Sequence, residues 1–388
     1  MSRFNLLYTP FQSQMSTKII FGNNTLKELG KLTKERGESA IIVSGQSAIK
    51  TGKVDLIKQI LKKNDIKYCS YHDVSSDPTV HQVNKIIEIS KINSVDIMIG
   101  IGGGSVIDAT KAAGMIIKEG GITEDYILGN RLVGDDSLPH IAIPTTSGTG
   151  SELSKGAIIS WPEEKIKTGI RGKSLIPTIA IVDPTLVLTL PIEQIKITGF
   201  DCFSHAIETY ISKLANPMTA IYSANAINAV TMYLPIAISD PENLEARNHL
   251  SFNSMLMGYN LANSSTCLPH RLQYPLGSLT KTAHAFGLAA LYPSWVKITS
   301  SMSRRKFNDV AKWIVQGLSI NEKLSFDELP ELLDKFLKRI KLNITKDQLN
   351  YSKDDCSSMA SSVTGNLELD PWWKKDKDLQ QFYMPYVI

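Results

Sequence analysis

In the first half of the sequence, short apolar runs alternate with amphipathic segments. Residues 39–43 and 96–101 are apolar runs that predict buried strands, whereas Val54, Ile57, Ile60 and Leu61 have the spacing of one helix face. Strands joined by helices of this length form a parallel sheet with helices on both faces, and strands buried on both faces are continuous apolar runs. The pattern therefore predicts an α/β domain in this half of the chain.

The pattern changes near Pro191, where strand-like runs give way to long helical ones. The predicted helices are residues 201–213, 217–234, 245–264, 284–292, 307–317 and 326–340. A chain of 388 residues is also too long for one typical core. We therefore predict two domains, an α/β domain over residues 1–188 and an all-helical domain over residues 189–388.

The overall composition disfavours several classes of protein. The 42 basic and 38 acidic residues are nearly balanced and not clustered, so nothing predicts nucleic-acid binding. No run approaches about 18 apolar residues and the N-terminus lacks a signal-peptide core, so we expect no membrane span. Scattered cysteines without a disulfide framework favour a reducing cytoplasm. These cysteines are Cys69, Cys202, Cys267 and Cys356.

Two loops have the composition of phosphate-binding segments. The glycines at 102–104 and Ser105 follow an apolar run and open a predicted helix, whose N-terminal amides attract anions. Residues 144–152 read Pro-Thr-Thr-Ser-Gly-Thr-Gly-Ser-Glu and also follow a predicted strand. Open α/β sheets bind ligands at this edge. The alternatives are a tight turn for the first loop and an ordinary polar loop for the second.

The helical half contains residues that suit a metal site. Asp201 and His205 are four residues apart and therefore lie on one helix face. His270 and His284 follow further along the chain. Each feature is weak evidence by itself, because surface pairs and core histidines are common.

Together these motifs resemble the iron-containing alcohol dehydrogenase family over nearly the whole chain. The motifs in order are Gly-Gly-Gly-Ser at 102–105, residues 144–152, Asp-Pro-x-Leu at 183–186, Gly-x-Asp-x-x-x-His-Ala-Ile-Glu at 199–208, and the histidine pair 270 and 284. The resemblance implies the architecture shared with dehydroquinate synthase. In it a dinucleotide-binding α/β domain and a helical metal-binding domain enclose the active site, and the chain forms a dimer or a larger homo-oligomer.

The resemblance also assigns roles to individual residues. The metal ligands would be Asp201, His205, His270 and His284, with Fe²⁺ favoured and Zn²⁺ as the alternative. The cofactor contacts would be Gly45, Gln46, Ser47, Asp77, Gly103, Gly104, Ser105, Asp108, Thr145, Thr146, Thr149 and Lys167.

The first departure from the family pattern is Gly45, where relatives that prefer NAD tend to have an acid. Gln46 and Ser47 could donate hydrogen bonds to a 2′-phosphate, and Lys50 is close in sequence. We therefore predict NADPH as the favoured cofactor over NADH. The alternative is that Gly45 only makes the turn.

Two further departures concern the substrate. Tyr274 stands where many relatives have a histidine, and we take it as a candidate proton donor. Arg271 beside His270 is a second catalytic candidate, either binding an anionic group on a short aldehyde or making a structural ion pair. The ending at residues 364–373 also differs, and either reshapes the substrate side or packs on the helical domain.

The predicted function is a metal-dependent alcohol dehydrogenase, or aldehyde reductase, that transfers hydride between NAD(P)H and a short-chain aldehyde or alcohol. Three alternatives remain at this point. They are a lyase resembling dehydroquinate synthase, a polyol oxidoreductase of the zinc glycerol dehydrogenase type, and a non-catalytic interaction protein.

Overall fold

The computed structural model describes residues 10–164, 166–319 and 328–387. The chain divides into two compact units. The α/β unit spans Gln14–Leu190, and the helical unit combines the residues up to Ser13 with those from Pro191 onward.

The α/β unit is built on a six-stranded sheet whose neighbouring strands all run parallel. Its strands are β1 (Lys18–Phe21), β2 (Ser39–Ser44), β3 (Lys67–Tyr71), β4 (Ile97–Gly102), β5 (His140–Pro144) and β8 (Ile179–Val182). They are ordered β1-β8-β5-β4-β2-β3. The predicted parallel sheet is confirmed. A separate antiparallel pair, β6 (Gly156–Trp161) and β7 (Ile166–Arg171), did not emerge from the sequence pattern.

Helices cover both faces of the sheet. They are α1 (Leu29–Lys34), α2 (Gln46–Lys50), α3 (Lys53–Lys63), α4 (Val80–Ile92), α5 (Gly104–Glu119) and α6 (Thr123–Ile127). Alternate residues of β2 belong to different cores: Ile42 packs with the residues of α1 and α3, and Ile41 with those of α4 and α5. This follows from the strand geometry, which points successive side chains to opposite faces.

The Asp-Pro motif after β8 has a structural role. The carboxylate of Asp183 accepts hydrogen bonds from the backbone N–H groups of Asn24 (3.0 Å), Leu26 (3.1 Å) and Thr185 (3.0 Å). It therefore satisfies amides at the starts of two 3₁₀ turns, Thr25–Glu28 and Pro184–Val187.

The helical unit contains nine helices among the described residues. They are α7 (Ile192–Ile211), α8 (Pro217–Ser239), α9 (Leu244–Asn263), α10 (Leu268–Thr280), α11 (His284–Thr299), α12 (Arg304–Leu318), α13 (Leu329–Arg339), α14 (Lys346–Leu349) and α15 (Lys353–Ser361). The sequence pattern missed α10 and placed the start of α7 too late. The predicted helix start at residue 326 lies outside the described residues.

Helix α8 is long and apolar enough to cross a membrane, judged by length and composition alone. A buried core helix passes the same test. Here α8 packs against α7, α9 and α12.

The ending that departs from the family pattern packs on the helical unit. Asp370 accepts hydrogen bonds from the backbone N–H of Leu268 (3.2 Å) and from Trp295 Nε1 (3.0 Å). Trp372 stacks edge-on against Phe382. The tail therefore fixes the N-terminal turn of α10, which carries His270.

Candidate active site

Four side chains converge in the helical unit. The Oδ1 atom of Asp201 lies 3.7 Å from His205 Nε2, 3.8 Å from His270 Nε2 and 3.9 Å from His284 Nε2. Asp201 and His205 come from successive turns of α7, His270 comes from α10, and His284 begins α11. Asp201 Oδ1 and His270 Nε2 are buried without a hydrogen-bond partner among the described residues.

This donor set fits one divalent metal ion. Imidazole nitrogen and carboxylate oxygen bind such ions at about 2.0–2.2 Å, so neighbouring donors stand well apart instead of hydrogen-bonding. Burial lowers the pKa of His270 well below its ordinary value, which keeps the ring neutral and its Nε2 lone pair free. Three nitrogens and one oxygen suit Fe²⁺ or Zn²⁺.

Two ligand imidazoles are oriented by further side chains. His270 Nδ1 donates to Glu208 Oε1 (2.7 Å), and His284 Nδ1 donates to Gln273 Oε1. Such partners fix the ring and the tautomer of a metal ligand. Glu208 belongs to the motif at residues 199–208, but no role was predicted for it from the sequence. Its position seven residues after Asp201, on the same face of α7, is the signal that could have found it.

Glu208 is completely buried and accepts hydrogen bonds from several donors. Its Oε2 accepts from the backbone N–H of Cys267 (2.8 Å), and its Oε1 accepts from the Tyr292 hydroxyl (3.1 Å). Burial raises the pKa of Glu208 to about 7. The pKa values of the Cys267 thiol and the Tyr292 hydroxyl are raised for the same reason, so both stay protonated donors.

The accessible side of the cluster is at His284. Its side chain is 32 % exposed, whereas those of Asp201 and His270 are 7 % and 5 % exposed. The ring of Tyr274 stacks against His284 with 6.2 Å between centroids. Arg271 Nη1 lies 3.4 Å from the Tyr274 hydroxyl oxygen and donates to it. Both catalytic candidates thus lie beside the metal centre.

In the α/β unit, the two predicted phosphate-binding loops touch each other. A Cβ on Gly104 would lie 2.8 Å from the side chain of Thr149, and one on Gly103 would lie 3.3 Å from that of Thr146. The backbone N–H of Thr145 donates to the carbonyl of Gly102 (2.9 Å). Glycine is therefore required for this close approach at the N-terminus of α5.

These loops retain unused polar groups. The helix α5 has Gly103 as its N-cap and so has no side-chain cap. Thr146 Oγ1 is buried without a hydrogen-bond partner among the described residues. A helix N-terminus with free amides and an unpaired hydroxyl can bind a phosphate.

Asp108 holds the second loop in place. It accepts from the backbone N–H of Ile158 (2.9 Å) and from the Ser151 hydroxyl, and it pairs with the fully buried Lys111 (3.0 Å). Lys111 also donates to the Ser151 carbonyl (3.1 Å). Lys111 was not predicted from the sequence. Its spacing of three residues from Asp108 on one helix was the available signal.

The remaining predicted cofactor residues gather near the carboxyl ends of β2, β3 and β4. Lys167 Nζ and Asp77 Oδ1 form an ion pair at 2.6 Å. The Ser105 hydroxyl donates to the Ser76 carbonyl. Ser47 lies in the first turn of α2.

Gly45 has a steric reason to be glycine, because a Cβ there would lie 2.9 Å from the Val74 carbonyl oxygen. Beside it, Gln46 Nε2 donates to Asp73 Oδ1 (2.6 Å). No acid follows β2, but Asp73, which follows the neighbouring strand β3, lies beside the same turn. Asp73 was not predicted, because the family pattern places the acid after β2 and not after β3.

Two family models match this chain. The model described as iron-containing alcohol dehydrogenase matches residues 16–184, and that for the C-terminal domain of the family matches residues 195–381. The long-chain primary alcohol dehydrogenase of Thermoanaerobacter ethanolicus is 30 % identical over 314 residues, 79 % of each chain. The NAD-dependent methanol dehydrogenase of Bacillus methanolicus is 29 % identical over 301 residues, 77 % of this chain and 79 % of that relative. The crystal structure of an iron-containing alcohol dehydrogenase from Thermotoga maritima superposes with a TM-score of 0.86 at 27 % identity, covering 97 % of this chain and 99 % of that one.

Proposed function

The chain belongs to the iron-containing alcohol dehydrogenase family, and we propose that it reduces short-chain aldehydes, or oxidises the corresponding alcohols, with a nicotinamide cofactor and a divalent metal. The observation that carries the proposal is the convergence of one carboxylate and three imidazoles on a common point, with Asp201 Oδ1 and His270 Nε2 unpaired.

When bound, the metal would polarise the substrate oxygen as a Lewis acid, and the cofactor would supply or accept the hydride. We propose that Asp201, His205, His270 and His284 hold the metal, and that Fe²⁺ is the metal of the active enzyme. Glu208 and Gln273 keep two of these imidazoles in the ligand tautomer. Burial of three of the four ligands excludes water from all but the side of His284.

The dinucleotide would lie on the carboxyl edge of the sheet. Its pyrophosphate would be bound by backbone amides of the 103–105 loop and the hydroxyls of Thr146 and Thr149, and Asp108 would keep the second loop in position. Lys167 and Asp77 would contact the ribose or the adenosine side.

The sequence predicts NADPH as the favoured cofactor from the missing acid after β2, and we propose that NADPH is used. Asp73 opposes a 2′-phosphate by its charge, so NADH should be used as well. The variant Asp73→Asn should then raise the preference for NADPH over NADH. Equal ratios of kcat/KM for the two cofactors before and after the change would contradict a role for Asp73.

Tyr274 is our candidate for moving the proton. Tyr274 follows His270 by about one helical turn on the same face of α10, and its ring lies against His284. From there it can donate a proton to the substrate oxygen as negative charge develops. The variant Tyr274→Phe should lower kcat with little change in metal content.

The function is tested by loading the chain anaerobically with Fe²⁺ or Zn²⁺ and following NADPH and NADH absorbance against short aldehydes. We expect oxidation of the cofactor that stops on chelation and returns with Fe²⁺. Conversion of a substrate with no net oxidation of the cofactor would instead support the lyase alternative. Metal bound at one ion per chain with no turnover of any kind would support a non-catalytic role.

A further inference from the structure

Arg271 on α10 is a buried cation beside the metal centre. It directly follows His270 and is only 6 % exposed. A guanidinium is always charged and carries five N–H donors. Burying such a charge is costly unless it is paired with an anion.

The described residues do not supply that anion. Arg271 Nη2 donates to the Thr266 hydroxyl (3.1 Å) and Nη1 donates to the Tyr274 hydroxyl (3.4 Å), and both partners are neutral. The Nε atom is buried without a partner, and no described carboxylate forms an ion pair with this arginine, although burial raises the pKa of Glu208 and the charge of Arg271 lowers it in part. Its charge is therefore left without a direct counterion.

Two buried acids of the unit, Glu208 and Asp370, are engaged elsewhere. Glu208 receives hydrogen bonds from His270, Cys267 and Tyr292. Asp370 receives hydrogen bonds from the first turn of α10 and from Trp295. Their oxygens already accept several donors, and neither acid forms an ion pair with the guanidinium.

The tail of the chain fixes Arg271 in this position. Gly365 has φ +98°, and a Cβ there would lie 3.1 Å from Arg271 Cδ and 3.3 Å from its Nε. A side chain at residue 365 would therefore strain the backbone and make a tight contact with the arginine. The departure of this ending from the family pattern thus brings bare backbone against the guanidinium.

Arg271 also has a direct connection to the accessible side of the metal centre. Its Nη1 contacts the hydroxyl of Tyr274, whose ring stacks on His284, the most exposed of the four ligands. Arg271 is therefore connected through Tyr274 to the side from which a substrate would approach the metal.

We infer that Arg271 binds an anionic group of the substrate, so that the substrate is a short aldehyde carrying a carboxylate, sulfonate or phosphonate. This inference rests on the proposed function. In the reaction the aldehyde carbon gains hydride and its oxygen gains a proton, while NAD(P)H is oxidised to NAD(P)⁺. The anionic group is unchanged and serves only for binding.

The test uses the metal-loaded enzyme and a matched series of aldehydes X–CH₂–CHO, in which X is carboxylate, sulfonate, phosphonate or methyl. We expect kcat/KM for one charged member to exceed that of the methyl compound by on the order of 100-fold, as for a buried charge pair. Arg271→Gln should remove most of that advantage through KM, and Arg271→Lys should restore part of it. The charged compound with the highest kcat/KM shows which of the three anionic groups Arg271 binds.

Binding is measured independently of turnover with acetate, methanesulfonate and methylphosphonate. The preferred anion should raise the unfolding temperature of the metal-loaded wild type but not of Arg271→Gln. The control is Arg247→Gln, which removes another buried guanidinium of the helical unit and should affect charged and neutral aldehydes equally.

Failure of the proposed function and failure of the anion-binding role give different results. If no aldehyde is reduced, the proposed function fails. If the methyl compound is reduced as well as all charged ones, or if Arg271→Gln lowers kcat/KM equally for both, only the anion-binding role is overturned and Arg271 is structural.

Discussion

Both units contain buried polar atoms without a hydrogen-bond partner among the described residues, but in different arrangements. In the helical unit, Asp201 Oδ1 and His270 Nε2 face each other across 3.8 Å, with two more imidazoles close by. In the α/β unit, His140 on β5 is completely buried and neither of its ring nitrogens has a partner. An unpaired atom therefore indicates a ligand only where other donors converge on the same point.

The two arrangements also differ in their energetic consequences. At the metal centre, the desolvated donors can recover their lost hydrogen bonds by binding an ion. Nothing described around His140 offers such compensation, and burial together with the charge of Lys111 lowers the pKa of His140 to about 3. The first arrangement suits a bound ion, whereas the second only costs stability.

The largest effect is expected from removing one of the four side chains that converge in the helical unit. Asp201→Ala removes the oxygen that lies near all three imidazoles, and kcat/KM should fall on the order of 1,000-fold because several kcal/mol of transition-state stabilisation depend on the metal. Metal content per chain should fall with it. His249→Gln is the matched control, because His249 lies in the same unit but stacks on Tyr233 and is not one of the four converging side chains. Normal metal content in Asp201→Ala would refute the assigned ligand set.

The next largest effect is expected at Glu208, which accepts a hydrogen bond from His270 Nδ1. Glu208→Gln keeps the shape of the side chain but weakens the acceptor for His270 Nδ1, and metal affinity should fall by about 10- to 100-fold. The measurement is a competition titration with a chelator. Tyr292→Phe removes a different hydrogen bond to the same carboxylate and is expected to have a smaller effect. Unchanged affinity in Glu208→Gln would mean that Glu208 only fills space.

The sequence predicted the class of fold and the strands β2 and β4 well, because buried parallel strands are continuous apolar runs and the helices between them have a clear period. Helix α10 escaped prediction because prolines interrupt its sequence at positions 269 and 275. The pair β6–β7 escaped because its strands are only partly buried and therefore mixed in polarity.

For the candidate site, residues within named motifs could be proposed from sequence, whereas their supports could not. Lys111, Asp73 and Gln273 act through contacts with residues that only the folded chain brings beside them. For Arg271, the sequence left open an ion pair or an anion site. The absence of a described counterion is a property of packing, which no spacing rule contains.

A third prediction tests the isolated histidine through pH. His140 has a folded-state pKa of about 3, below its ordinary value near 6.5, so the unfolded chain binds the proton first as pH falls. Stability is unaffected above pH 6.5 and is lost below it by about 1.4 kcal/mol per pH unit. Relative to wild type, His140→Leu should therefore gain about 2 kcal/mol between pH 7.5 and pH 5. The measurement is urea unfolding of both proteins across this range. Parallel curves would show that His140 has a partner in the folded state.

The smallest effect is expected at Thr146, whose unpaired hydroxyl lies in the loop that contacts the N-terminus of α5. If it is a cofactor contact, the isosteric change Thr146→Val should weaken NAD(P)H binding roughly 10-fold, the value of one hydrogen bond to a charged group, without lowering stability. Thr110→Val is the control, because that buried hydroxyl donates to the Val106 carbonyl within α5. This control should lose some stability and keep its cofactor affinity, measured by the fluorescence of bound NAD(P)H. If Thr146→Val binds the cofactor normally, its hydroxyl belongs with His140 as an isolated unpaired group, and the convergence of the two loops alone would not identify a binding site.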